Sequence, residues 1–113
     1  MRVGIDLVEH QDMEGRDARF IKRILTETEF NYFNQITSKK RRTEYLSSRF
    51  ACKEAIFKCY QKGLAFKDIT IVNEENGAPY ALIYNKKVEL QISLSHTDKY
   101  SVAIAILPSS DDD

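Results

Sequence analysis

Between Thr43 and Lys62 the apolar residues recur at three- and four-residue intervals, the helical period. At about 100° per residue, Leu46, Phe50, Phe57 and Tyr60 share one arc, and Tyr45, Cys52, Ile56 and Cys59 extend it round the back. The stretch contains no Pro, and Gly63 follows the basic Lys62 as a helix stop. About five turns fit between these ends. Little of the circumference is left for water, so the pattern predicts a central helix wrapped on most sides.

Other periods lie on either side. Residues 2–8 read as a short buried strand. Residues 10–18 are polar and irregular, or at most a weak helical turn. Residues 16–25 carry Phe20, Ile24 and Leu25 as an apolar set, with Arg16, Arg19 and Arg23 spaced to share one helical face. Thr26 and Glu29 have the spacing of a capping box, opening a short amphipathic helix through Phe30, Phe33 and Ile36. Thr37-Ser38 ends it and caps the central helix, whose first turns then hold Lys39-Lys40-Arg41-Arg42. After Gly63 the period changes to two. Strands are predicted over 68–73 and 80–84, joined by a turn centred on Asn76-Gly77, and over 88–95 and 100–107. The last is nearly continuous in apolar residues and is expected to be buried on both faces. This order predicts an α+β domain over 1–108, a mainly antiparallel sheet packed on the long helix, with residues 109–113 as an acidic tail.

Composition narrows the class. A chain of 113 residues allows one small domain with a core. Basic and acidic residues balance at 17 each, which argues against a general nucleic-acid binder. Cys52 and Cys59 sit two turns apart on one helix, about 10 Å, too far for a disulfide. Buried free thiols suit a reducing compartment. No apolar run approaches a membrane span, and the acid at Asp6 interrupts any signal peptide, so a cytoplasmic protein is expected.

Several charged residues sit where burial is expected. Lys53 falls inside the apolar arc, with Glu54 at its edge and Lys58 one turn further on. Two readings fit. In one, Glu54 and Lys58 are an i,i+4 pair and Lys53 snorkels to water. In the other, a carboxylate and two amines rim a pocket for an anionic ligand. Asp6 either faces water from an alternating strand or projects towards a metal or a basic group. Asp6 and Glu54 together could hold one Mg²⁺, which takes one or two carboxylates plus water and phosphate oxygens. His96 is either a loop histidine bonded to backbone or, with Ser93, Ser95 and Thr97, part of a phosphate-binding corner. The Arg stripe is either solvated or a docking face for an acidic helix. Neither a Walker-type nor a Rossmann glycine loop is present.

Three blocks make a family resemblance specific. Gly4-Ile5-Asp6-Leu7-Val8-Glu9, Arg49-Phe50-Ala51-Cys52-Lys53-Glu54-Ala55-Ile56-Phe57-Lys58 and Ser93-Leu94-Ser95-His96-Thr97 resemble, in order and spacing, the motifs of the holo-acyl-carrier-protein synthases, the small bacterial 4′-phosphopantetheinyl transferases. Arg19-Phe20, Ile24-Leu25-Thr26, Glu29 and Asn76-Gly77-x-Pro79 agree as well.

The resemblance implies transfer of the 4′-phosphopantetheine arm of coenzyme A to a serine of apo acyl carrier protein, with Mg²⁺ required. By matching positions, Asp6 and Glu54 would bind the metal, Glu54 or a water it orients would take the serine proton, and Lys58 would stabilise phosphate charge. Glu44, Arg49, Lys53, Lys58, Gly63, Pro79, His96 and Thr97 would contact coenzyme A. Arg16, Arg19 and Arg23 would dock the carrier protein. A homotrimer with active sites at subunit boundaries is expected, with His96 serving a neighbour's Glu54. Two departures stand out. Gln61 replaces the first glycine of the Gly-x-Gly that often follows the central helix, and Ala78 replaces a turn lysine. The competing reading is a catalytically silent module that binds coenzyme A or a carrier protein.

Overall fold

A computed structural model describes residues 1–60 and 63–108 of the chain. The acidic tail and Gln61 lie outside the described residues. The chain opens with strand β1 (Arg2–Glu9) and the single turn α1 (His10–Met13). Three helices follow, α2 (Ala18–Ile24), α3 (Glu27–Gln35) and the long α4 (Lys39–Tyr60). A 3₁₀ turn (Phe66–Asp68) leads into β2 (Ile69–Asn73), β3 (Pro79–Ile83), β4 (Lys86–Lys87), β5 (Gln91–His96) and β6 (Tyr100–Leu107).

Local chemistry sets these boundaries. Asp17 caps α2 by accepting from Phe20 N, which starts the helix at Ala18 and leaves Arg16 outside it. Thr26 and Glu29 form the expected capping box on α3. Ser38 Oγ accepts from Arg41 N at 3.2 Å and opens α4. Gly77, with φ of 91°, makes the turn between β2 and β3.

The strands form two antiparallel three-stranded sheets, β1-β6-β5 and β2-β3-β4. All of β1 pairs with β6, from Arg2 opposite Leu107 to Glu9 opposite Tyr100. The inner face of that sheet presents Gly4, Asp6, Val8, Ser101, Ala103 and Ala105 to α4. β1 meets α4 with no spacer: a Cβ added at Gly4 would overlap the Ala55 carbonyl oxygen. Cys59 donates its S–H to the Ala105 carbonyl at 3.2 Å on the same contact.

Three expectations change. β6 alternates instead of being buried on both faces: Ser101, Ala103 and Ala105 are buried, while Val102, Ile104 and Ile106 lie half-covered on the outer face. Beside them on β1, Val3, Ile5 and Leu7 are 52%, 56% and 63% exposed. The strand expected over 88–95 begins only at Gln91. Tyr84 and Asn85 take positive φ and turn the chain into β4, and Val88 and Leu90 form a tight link instead of a ladder.

The third concerns Lys53, which neither snorkels nor rims a pocket. Its side chain is 0% exposed. Its ammonium donates to Glu29 Oε1 at 2.6 Å, Ile24 O at 2.8 Å and Phe66 O at 3.2 Å, which uses all three donors. Burial pushes its pKa below the ordinary lysine value against the pull of Glu29. Glu29, equally buried, also accepts from Thr26 N and Ile71 N. One ion pair therefore joins α2, α3, α4, the 3₁₀ turn and β2. The expected coenzyme A contact of Lys53 is corrected accordingly: no proton of that ammonium remains for a ligand. Replacing Lys53 with Met strands the Glu29 carboxylate and should cost about 3–5 kcal/mol, a large part of a small domain's stability, measured by urea unfolding. A loss below about 1 kcal/mol would be that of a surface pair instead.

Candidate active site

Asp6 lies in the middle of β1 on its inner face, opposite Ala103. Glu54 and Lys58 are one turn apart on α4 and share a side. The contact at Gly4 and Ala55 brings that side of the helix against β1. Lys58 Nζ donates to the Ile5 carbonyl at 2.6 Å and stands 3.6 Å from Asp6 Oδ1. Only 20% of the Asp6 side chain is exposed, whereas that of Lys58 is half-exposed. Burial raises the pKa of the Asp6 carboxyl, with Lys58 opposing. Glu54 is also raised, by burial first and then by the negative charge of Asp6. Two carboxylates that disfavour each other's ionisation, with one lysine beside them, form a site short of positive charge.

Asp6 and Glu54 open into a groove of about 500 Å³, with Glu9, Asp12, Arg16 and Phe50 also on its walls. The donor set suits a hard divalent cation that keeps water and phosphate oxygens among its ligands. Among the described residues no group of three or more His, Cys, Asp or Glu forms a closed metal cage. Among the described residues, Asp6 and Glu54 share the walls of this groove with two further carboxylates, Glu9 and Asp12.

The other expected site residues fall into separate places. The Arg49 guanidinium lies 4.3 Å from the Tyr45 ring centroid and donates to Asn73 Oδ1 at 3.0 Å. Asn73 pairs with Pro79 across the β2–β3 hairpin. These residues adjoin a second groove of about 420 Å³, whose walls include Tyr32, Arg41, Tyr45, Arg49 and Asn73. Burial pushes the Tyr45 phenol up to about 12, so it stays a neutral hydroxyl there. Glu44 is half-buried on α4 one turn after Lys40, and Gly63 is exposed beyond the helix. The thiol of Cys52, buried and pushed up to about 12, is inert.

His96 and Thr97 stand at the β5–β6 turn. They do not line the Asp6–Glu54 groove of their own chain. They open on the outer sheet face beside Leu7, Ser95, Tyr100 and Val102. The His96 Nδ1–H donates to the Thr97 carbonyl at 3.2 Å, because a carbonyl can only accept. That tautomer leaves Nε2 able to accept. Thr97 Oγ1 accepts from Lys99 N and Tyr100 N, leaving its hydroxyl proton for an outside acceptor.

Arg19 and Arg23 project from one side of α2, both exposed. Arg16 precedes the helix, its guanidinium 4.3 Å over the Phe20 ring and its Nε–H bonded to Asp12 O. Sequence spacing missed the Tyr45–Arg49–Asn73 cluster, because Asn73 is remote in sequence. It read Glu29 only as a cap, because the spacing of a capping box says nothing about the second carboxylate oxygen.

The family description "4′-phosphopantetheinyl transferase superfamily" matches residues 2–105. The holo-[acyl-carrier-protein] synthase of Oceanobacillus iheyensis is 42% identical over 93% of both chains. That of Bacillus subtilis is 35% identical over 93% of both. Among solved structures, the Bacillus anthracis holo-(acyl-carrier-protein) synthase in complex with CoA (3′,5′-ADP) superposes with a TM-score of 0.85 at 34% identity, covering 96% of each chain. The Helicobacter pylori synthase in complex with coenzyme A gives 0.74 at 25% identity, over 92% of this chain and 97% of that one. A match of this extent is carried by the elements that hold the groove as well as by the motifs within it, and the chain belongs to the 4′-phosphopantetheinyl transferase superfamily, among the holo-[acyl-carrier-protein] synthases.

Proposed function

We propose that this chain transfers the 4′-phosphopantetheine group of coenzyme A to a serine hydroxyl of an apo acyl carrier protein, Mg²⁺-dependently, as a cytoplasmic homotrimer. The observation that carries the reading is the convergence of Asp6, Glu54 and Lys58 across the β1–α4 contact. The transfer forms a bond between the serine oxygen and the phosphorus bearing the pantetheine arm. It breaks the bridging P–O bond and releases adenosine 3′,5′-bisphosphate. The serine proton passes to Glu54, directly or through a water it orients. The raised Glu54 pKa moves it towards the range of a useful base. Lys58, held to β1 through the Ile5 carbonyl, stabilises negative charge on the phosphates. Mg²⁺ held by Asp6 and Glu54 would supply further charge neutralisation on the pyrophosphate oxygens.

Arg49, Glu44, Gly63 and Pro79 are assigned to coenzyme A, and Arg16, Arg19 and Arg23 to the acidic surface of the carrier. The trimer is supported by the outer face of β1-β6-β5. There Val3, Ile5 and Leu7 stand in register with Ile106, Ile104 and Val102, an apolar face that further copies of this chain would cover. The same packing would take His96 and Thr97, which face away from their own Glu54, to a neighbour's site. Buried Cys52 and Cys59, both free, suit the cytoplasm. Among the described residues no helix is long and apolar enough to cross a membrane.

Intact-mass spectrometry of an apo carrier protein incubated with this protein, coenzyme A and Mg²⁺ tests the reaction. The expected gain is about 340 Da, one phosphopantetheine arm, and it disappears with EDTA if the metal assists the transfer. Coenzyme A binding with no mass gain on several carriers would favour the silent binding module.

Glu54→Gln should abolish transfer while stabilising the metal-free fold. The raised carboxyl pKa values mean that stability is present below the ordinary values of 3.8 and 4.5 and is lost as pH rises through the folded ones. At pH 7 the metal-free protein is destabilised by both charges. Removing one should raise Tm by roughly 2–4 °C, with the gain vanishing below about pH 4. A variant that keeps near-normal turnover would remove Glu54 from the reaction.

Arg19→Ala should raise KM for the carrier protein about fivefold, the scale of a lost charge-assisted contact, with KM for coenzyme A unchanged. An unaltered carrier KM would sink the docking assignment.

A further inference from the structure

We infer that His10 is a positioning residue that holds the β5–β6 turn, and with it His96 and Thr97, in the geometry needed to engage coenzyme A. The inference rests on the reading above that this turn contacts coenzyme A. His10 belongs to none of the three sequence blocks. As the first residue of α1 it is nevertheless buried, at 7% exposure, against the end of the sheet.

Both ring nitrogens are used. Nδ1 lies 3.1 Å from the Asp98 carbonyl and Nε2 lies 2.8 Å from Ser101 Oγ. A carbonyl only accepts, so Nδ1 carries a proton and donates. Nε2 pairs with the Ser101 hydroxyl, so both ring nitrogens have a partner. The His10 backbone N–H adds a third tie, to Lys99 O at 2.8 Å. Asp98 and Lys99 are the two residues that follow Thr97 in the turn. The turn's internal bonds are Thr97 N to Tyr100 O, the two accepted by Thr97 Oγ1 and His96 Nδ1 to Thr97 O, and each joins residues 96–100 to one another. From outside the hairpin, the β1 ladder reaches its end with Glu9 opposite Tyr100, and His10 and Lys40 reach Asp98 and Lys99 within the turn. The Lys40–Asp98 pair is 3.0 Å long with both side chains largely exposed, and such pairs contribute little. The buried imidazole is the stronger restraint, and its ring lies 6.3 Å from that of His96.

Two substitutions separate positioning from simple packing. His10→Asn places an amide N–H where Nδ1 stood, keeping the donor to Asp98 O and losing Ser101. His10→Gln reaches Ser101 and loses Asp98 O. Both put an amide into the same buried space. With the full-length protein, Mg²⁺ and saturating carrier, His10→Gln should raise KM for coenzyme A about tenfold, the scale of losing one buried hydrogen bond in the bound geometry. kcat should change less than twofold, and His10→Asn should restore KM to within about twofold. Thermal unfolding of each variant is read in parallel. Equal KM values for the two variants, or KM changes that follow only the loss in Tm, would overturn the inference. His96→Ala and Thr97→Ala serve as controls. If they raise KM for coenzyme A and the His10 variants do not, the turn is a substrate contact that His10 does not position. If neither control raises it, the assignment of the turn to coenzyme A is wrong and the inference falls with it.

Discussion

The rotational setting of α4 controls what this protein can do chemically, and the Lys53–Glu29 pair is what holds that setting. An ammonium with three buried acceptors cannot turn outward without leaving Glu29 charged and alone. With Lys53 fixed inward, the next residue points about 100° away, into the groove. Lys58, four residues on, follows it to the same side. The pair lies outside the reacting cluster, yet it decides which way that cluster faces. Glu29 also closes the capping box of α3 and accepts from β2, so the same carboxylate ties the second sheet to the helix.

Distance between helix and strand is set separately, by Gly4. No side chain separates β1 from α4 at that point, and the strand lies against the Ala55 carbonyl. Asp6 is two residues further along the same face. The close approach therefore brings its carboxylate towards Glu54, whose ionisation the Asp6 charge disfavours. The arrangement holds both carboxyls above their ordinary pKa, which the proposed cation would relieve. Stability and chemistry pull against each other at this groove, as in many sites built to bind charge.

A second division runs between the two faces of the β1-β6-β5 sheet. The inner face is packed and carries Asp6. The outer face carries exposed aliphatic residues and, at its end, the turn with His96 and Thr97. A single chain places the two halves of the proposed site apart, Asp6 and Glu54 in one groove and His96 and Thr97 on another surface. Assembly of copies is the simplest way to bring the two halves together, and an anchored turn is then needed for the halves to meet at a defined angle.

Much of this was legible from local chemistry. The helical period through Tyr60, the capping box at Thr26 and the Asn76-Gly77 turn depend on neighbours within a few positions, and each appears as expected. The three motif blocks at 4–9, 49–58 and 93–97 were enough to identify the family. Long-range partners were not legible. Lys53 was expected at coenzyme A from the family resemblance, and only packing shows its ammonium enclosed by Ile24, Glu29 and Phe66. β6 read as buried on both faces because a run of apolar residues looks the same whether its second face meets the same chain or lies open. His10 carried no signal at all, since its partners are 88 and 91 residues away. Sequence by itself determined the elements, the family and the chemistry on offer, because these follow from short-range periods and residue types. Tertiary structure alone decided which charges are buried, which face each other and which surface is left open, because those depend on contacts between distant segments.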